Sequence, residues 1–374
     1  MMSFSFHHMR PLTIYPEHKK GVISHDGRTM CTIHETMHHW LVLHNLKSNV
    51  HRGLKDKSDD ERKPLVDAVC FSTCDRFVFV MVGHTIEQWC VSTRKQENEW
   101  HLPPAPPYIE PKSLTCSETH VGFTMEQWHN PEHVRAQVLD IASGVLHPLV
   151  GPNSLDDDTY TIAFQPHGNH IATAHGDGFE LWCATTFERL RVVEIFGNTF
   201  TLSYSPCGRR LALGGRFDFD HDFIPDLRVP HCGAGGQVQL WAAGDTVESY
   251  VHVDDLFSTD ESACLISVAF SPWSDFVLAC DFESRYYEWE LDPRRLVCEE
   301  HVDIGLESCA YDTRGEKVVF GGTSDTAVAK LAFCGKQRRQ FVSRHNYSLR
   351  LLHKQRWWPE DITKFLRTFL ICEY

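Results

Sequence analysis

A β-rich apolar run with a small residue before an aromatic, then a polar turn, then a second apolar run, recurs along this chain. The clearest copies are Ala68-Val69-Cys70-Phe71-Ser72, Thr161-Ile162-Ala163-Phe164-Gln165, Thr201-Leu202-Ser203-Tyr204-Ser205, Ser267-Val268-Ala269-Phe270-Ser271 and Ser308-Cys309-Ala310-Tyr311-Asp312. Weaker copies lie at Gly21 to Ser24 and Ser113 to Cys116, which makes seven. Each is followed by a turn of similar make, such as Ser24-His25-Asp26-Gly27, Gln165-Pro166-His167-Gly168 and Ser205-Pro206-Cys207-Gly208. Pro in second place presets φ and Gly in fourth place accepts the positive φ that closes a tight hairpin. The first residues of successive turns are 48, 45, 48, 40, 66 and 41 positions apart. A third apolar run is expected to end in Trp in five units, at Trp40, Trp89, Trp182, Trp241 and Trp289, with Leu139 and Leu331 in the other two.

A unit of 40 to 48 residues with about four short strands resembles the WD40 repeat, and the resemblance covers residues 11–344. Its best copy is His175-Gly176-Asp177-Gly178-Phe179-Glu180-Leu181-Trp182, similar to the family's Asp-Gly strand ending in Trp. The Trp-Asp dipeptide itself is missing: Leu41, Cys90, Cys183, Ala242 and Glu290 follow the five tryptophans. The resemblance implies an all-β fold, a seven-bladed WD40-like β-propeller, to which the residues of 345–374 add a short helical C-terminal tail. Blades that cannot bury both faces alone stack radially and share a core. Small residues such as Cys70, Ala163, Ser203, Ala269 and Ala310 suit the crowded axis. Closing such a ring needs a partner for the last unpaired edge. Arg10 to Tyr15 is a candidate outer strand for the last blade, or it sits beside Arg339 to Ser343; the sequence leaves both open.

The tail follows a different period. After Trp357, Trp358 and Pro359, the residues Ile362, Phe365, Leu366, Phe369 and Leu370 recur at helical spacing and form one apolar face. Pro359 with Glu360 and Asp361 is a suitable helix start. A helix this short needs its face buried, either on the propeller rim or on a partner, so Trp357, Trp358, Phe365 and Phe369 are the expected tail contacts.

Length alone, 374 residues, suggests two or three domains, but the repeats overrule that count. Hydrophobic residues at 42% and charged residues at 23% are an ordinary globular balance. No apolar stretch is long enough for a membrane span, and His7, His8 and Arg10 stand where a secretory leader would be apolar. A cytoplasmic protein is the expectation. Fourteen cysteines without any Cys-x-x-Cys point to free thiols in a reducing compartment and away from a zinc ribbon. The net charge of −14 argues against nucleic-acid binding by the body of the protein, although residues 334–374 carry +6. Protonating all 24 histidines would move the net charge to +10, so mild acid should change behaviour strongly. His34, His38, His39 and His44 are expected to be exposed positions on a strand.

Two loops between second and third strands exceed what a tight repeat needs: Met125 to His133 and Arg216 to Gly236. The second explains the 66-residue spacing and is too apolar for a solvated linker. Asp218, Asp220 and Asp222 alternate as in a calcium loop, but Phe223 and Val229 stand where the Gly and Glu of that signature belong. No metal and no cofactor is expected. Catalytic signatures are missing too: there is no Gly-x-Ser-x-Gly and no His-Glu-x-x-His, and Gly233 to Gly236 lacks the Lys of a phosphate loop. The leading expectation is a noncatalytic scaffold, monomeric on its own, that binds a protein or peptide through Phe217, Phe219, His221, Phe223, Trp128, His133 and Asp177. The alternative is a propeller enzyme or metal-dependent hydrolase using the acidic 216–236 loop.

Overall fold

In a computed structural model the described residues are 9–331 apart from 17, 35–38, 47, 49, 57–65, 104–108, 128–135, 151–158, 196, 218–234, 259–262, 293, 303, 313–314, 316 and 323–324, with only the backbone described at some strand ends. They form seven four-stranded antiparallel sheets. The inner strands are His18–Ile23, Val66–Phe71, Ile109–Cys116, Thr159–Phe164, Asn198–Tyr204, Leu265–Phe270 and Leu306–Tyr311. We number the blades one to seven in that order. The sequence determines which strand faces outward. Second strands such as Phe77–Val82 and His170–His175 are nearly all buried, whereas the fourth strand Gln96–His101, reading Gln-Glu-Asn-Glu-Trp-His, is almost wholly exposed. A strand sandwiched on both faces must be apolar throughout, and one at a solvated edge must not.

Each gap between neighbouring blades holds its own hydrophobic cluster. Val69, Val80 and Trp89 pack with Cys31 and Leu41 between blades one and two. Phe179 and Leu181 meet Leu202 and Trp241 between four and five. Ile23 and Met30 meet Val319 between one and seven. The ring is therefore continuous. Fully burying a large apolar side chain contributes about 1.5–3 kcal/mol, so every blade depends on both neighbours. Ala163 packs into the cluster shared with blade five, and Ala269 into the one shared with blade seven, consistent with small residues where inner strands converge.

Closure comes from the N-terminus. Met9–Pro16 pairs antiparallel with Asp325–Leu331 and becomes the outer strand of blade seven, Ile14 opposite Ala327. Of the two arrangements left open by the sequence, the first is realised. Residues 332–374, including Arg339 to Ser343 and the expected tail helix with Trp357, Trp358, Phe365 and Phe369, lie outside the described residues. No α-helix occurs among the described residues, which hold one short 3-10 turn at Val247–Ser249.

Two of the seven expected third-strand endings need correction. Trp89, Trp182, Trp241 and Trp289 stand opposite Val78, Ile171, Leu211 and Val277, and Leu139 stands opposite Val121. In blade one the residue in that register is His44, opposite Met30, while Trp40 lies at the far end of the strand beside a break in pairing. In blade seven it is Ala329, not Leu331. His44 is accordingly buried, not exposed as expected. Its Nε2 lies 2.7 Å from Thr32 Oγ1, just as Trp182 donates to Thr173 Oγ1 at 3.0 Å. An imidazole can replace an indole there because either ring places a nitrogen within hydrogen-bond distance of the threonine hydroxyl at the equivalent place.

The repeated turns behave as their residues dictate. Gly27, Gly208 and Gly315 take positive φ in fourth place, and Asp75 and Ser274 do so without being glycine. In blade four His167 carries the positive φ instead. The serine that opens most turns accepts the N–H five residues on, as Ser24 Oγ does from Thr29 and Ser205 Oγ from Arg210.

Candidate interaction face

Strands alternate in direction, so first-to-second and third-to-fourth turns open on one side of the ring. Second-to-third turns and the connections into each inner strand open on the other, called here the entry face. Every inner strand carries a break in pairing one to three residues after it enters the sheet. The extra residue is Asp67 in blade two, Lys112 in three, Tyr160 in four, Phe200 in five, Ile266 in six and Glu307 in seven. A bulge leaves one residue out of the ladder and re-aims its side chain, and it is a frequent device beside binding sites.

The chemistry around the rim is uneven. Lys112 is exposed, and Glu307 is half-buried. Between them in ring order come three apolar residues on adjacent blades, Tyr160, Phe200 and Ile266, each half-buried. The rings of Tyr160 and Phe200 meet edge to face with centroids 5.2 Å apart. Their backbones are fixed by the preceding blade: Thr124 Oγ1 donates to the Tyr160 carbonyl at 3.0 Å and Thr161 Oγ1 to the Phe200 carbonyl at 3.0 Å. Thus the aromatic pair sits on a frame held by two threonines.

Two more aromatics extend this sector outward. Phe282, at the second-to-third turn of blade six, is 66% exposed, and Phe257, at the end of the fourth strand of blade five, is 37% exposed. Phe282 belongs to a stiff turn. Asp281 Oδ1 accepts the N–H groups of Glu283 and Arg285 at 2.9 Å each, and Tyr287 donates its hydroxyl to Asp281 Oδ2 at 2.8 Å. Burial, together with the facing Asp281 carboxylate, pushes the Tyr287 hydroxyl well above its ordinary range, so it remains a donor. An exposed phenylalanine on an immobilised turn loses little freedom when it is covered.

Beneath the blade-four sector lies a buried charge network. Glu180 accepts from Arg189 Nη1 at 2.8 Å, and its other oxygen lies 3.3 Å from His175 Nε2. His175 also contacts Thr173 Oγ1 at 3.1 Å and Thr159 Oγ1 at 3.3 Å. Burial works to raise the Glu180 carboxyl, but hydrogen bonds and charge from His175 and Arg189 outweigh it and hold it below the ordinary carboxylate range.

Of the residues singled out in the sequence, Asp177 is on this face, exposed in the second-to-third turn of blade four. Phe217 is the last residue of its strand and pairs with Gly235 on the entry face, and residues 218–234 between them lie outside the described residues. The segment between the strands is two residues shorter at each end than expected, because Arg216, Phe217, Gly235 and Gly236 belong to the ladder. The third-unit loop is likewise narrower: Met125 is buried and the strand runs to Gln127. Phe219, His221, Phe223, Trp128 and His133 lie outside the described residues. The bulge residues were missed by sequence reading, although a signal existed: Tyr160, Phe200 and Ile266 each stand one position before the Ser or Thr with which the recurring pattern opens.

Among the described residues no three His, Cys, Asp or Glu side chains converge as a metal site, the cysteines are free thiols, and no helix is long and apolar enough to cross a membrane.

No family model matches the chain, and no curated protein matches it in sequence. Solved structures do match in shape. The β-propeller domain of Cps50 (Swd1) from Myceliophteria thermophila aligns with a TM-score of 0.65 at 13% identity, covering 87% of this chain and all of that one. A chain of a mitotic checkpoint complex aligns with 0.65 at 12% identity, covering 88% and 98%. A hydrazine synthase from Kuenenia stuttgartiensis aligns with 0.63 at 11% identity, covering 85% and 96%. These likenesses show the fold: an all-β propeller of the kind the WD40 resemblance implied.

Proposed function

We propose that this chain is a noncatalytic interaction scaffold that takes a protein or peptide partner on its entry face. The reading is carried by the apolar sector Tyr160, Phe200 and Ile266, continued by Phe257 and Phe282 across blades four to six. Exposed apolar patches of this kind, flanked by charged residues such as Lys112 and Glu307, are characteristic of protein-binding surfaces. The segment 218–234 is rich in apolar residues and is flanked by Phe217 and Gly235, which pair in blade five at the middle of the sector, and Asp177 stands at the sector's edge. The propeller domain is assigned to residues 11–344, and 345–374 serve as a second contact. Neighbours in fold that include a checkpoint complex chain support an interaction role in general. Free thiols and the lack of a membrane-crossing helix among the described residues support a cytoplasmic setting.

The test is crosslinking and affinity capture with the Phe282→Asp and Tyr160→Ala/Phe200→Ala variants beside the parent. A binding role predicts loss of the same captured proteins in both variants with unchanged melting for Phe282→Asp. Capture that survives both variants would remove the entry face as the recognition surface.

A further inference from the structure

On the opposite face, between blades one and two, lies an open cleft of about 270 Å³. Its apolar lining is Leu43, Val50 and Val91, and its polar lining is Arg52, Arg94, Thr29, Asn45, Ser48 and Ser92. Comparison with the same groove between other blades shows what is unusual about it. Arg52 stands opposite Leu43, the residue before the place that tryptophan holds elsewhere. Its register equivalents are His147, Arg191 and Asp254 in blades three, four and five. Arg94 lies five residues after Trp89, in the place of Phe187 and Arg294, in the turn that the following blade extends over the groove.

In each of those three grooves the residue finds a complement. His147 stacks on Phe187 with centroids 4.2 Å apart. Arg191 Nη1 donates to the carbonyls of Val247 and Tyr250 at 3.1 Å each. Asp254 forms an ion pair with Arg294 at 2.6 Å. Between blades one and two the same two places hold two arginines. Both are exposed, and neither has a carboxylate or carbonyl partner among the described residues. Two arginines line this one cleft, and an anion bound there is attracted to both. The backbone under Arg94 is fixed: it holds φ +59° in a hairpin closed by its N–H to the Cys90 carbonyl.

We infer that this cleft binds a phosphorylated serine or threonine in a peptide of a partner protein. One carboxylate balances one arginine, as Asp254 does for Arg294; a phosphate dianion balances two and has oxygens to spare for the hydroxyls of Ser48 and Ser92. The apolar lining receives the neighbouring side chain of the peptide. This site is independent of the entry-face reading, since it opens on the other side of the ring.

The test uses the full chain and three immobilised degenerate peptide libraries, centred on phosphoserine/phosphothreonine, on unmodified serine/threonine, and on glutamate. The expected result is retention on the phosphorylated library alone, falling at least tenfold for Arg52→Glu/Arg94→Glu and unchanged for Arg295→Glu, an exposed charge reversal on blade six. Melting of the double variant should match the parent. If it does not fold, the single variants Arg52→Gln and Arg94→Gln should each weaken retention. Equal retention on the three libraries, or retention undiminished by loss of the arginines, overturns the assignment.

Discussion

The Asp75 carboxylate reaches from the first turn of blade two to His25 in blade one: Oδ1 accepts the His25 backbone N–H at 2.7 Å and lies 2.9 Å from its ring Nδ1. Its second oxygen accepts the Asp26 N–H at 2.8 Å. Asp75 does this from φ +57°, a conformation that Asp and Asn tolerate better than most residues. Other first turns are tied in similar ways. Gln165 donates to the carbonyls of Gly208 and Gly244, and Arg210 donates to that of Ser274. The turns therefore act as clasps between blades.

Asp75→Ala should destabilise the fold by about 1–3 kcal/mol, because it leaves two N–H groups with a lost acceptor and puts a Cβ residue less suited to positive φ in the turn. Asp75→Asn keeps one oxygen and the backbone tolerance and should lose less. Urea unfolding of the parent and both variants measures the order; an alanine variant as stable as the parent would show that the clasp contributes nothing.

Glu180 supports a second expectation. It is 1% exposed, and it is paired with an arginine that is itself largely covered. Removing one member of a buried ion pair costs about 3–5 kcal/mol, since the other charge stays behind. Glu180→Leu should therefore lower stability substantially, while Glu180→Leu with Arg189→Met should recover part of the loss. Equal instability of single and double variants would mean that packing, not charge, governs the site.

Removal of residues 1–16 tests closure. The strand Met9–Pro16 covers the edge of Asp325–Leu331, and an uncovered edge is a template for pairing with other chains. The truncated protein should melt several degrees lower or form oligomers in size-exclusion chromatography. A monomer of parental stability would show that the strand is dispensable.

The repeat was legible because its signals are local: Ser or Asp opening a turn, Gly or Pro within it, and an apolar run on either side. The register of the third strands was legible where a tryptophan marked it and failed where one did not. Trp40 drew attention four residues from the true place, which His44 fills through the same threonine bond. Closure was undecided because pairing of residues 9–16 with 325–331 spans the whole chain and leaves no local trace. The entry-face residues were one position away from the pattern that was read. A bulge residue is defined by what it fails to pair with, and a single sequence carries no record of pairing.

The last expectation concerns acid. His120 and His170 are both held below the ordinary imidazole range of about 6.5, chiefly by burial, although Asp140 near the first and a backbone hydrogen bond at Gly244 near the second act in the other direction. In the folded state they resist protonation, whereas in the unfolded chain they take a proton as the pH falls through 6.5. The unfolded state then binds more protons, so stability declines below that pH. Glu180 adds a second, lower window. Its folded carboxyl lies below its ordinary value of 4.5, so its contribution is present above that pH and is lost as the pH falls through the folded value. Melting temperature should thus be flat above about pH 7, begin to fall as the pH drops below about 6.5, and fall again below 4.5. The His120→Gln/His170→Phe variant should flatten the first decline and leave the second. His170→Phe loses the contact with the Tyr250 hydroxyl, 3.2 Å from Nδ1, so the slope with pH is the reading and not the absolute melting point. A parent whose melting is unchanged between pH 7 and 5 would show that the two imidazoles are not titrating against burial.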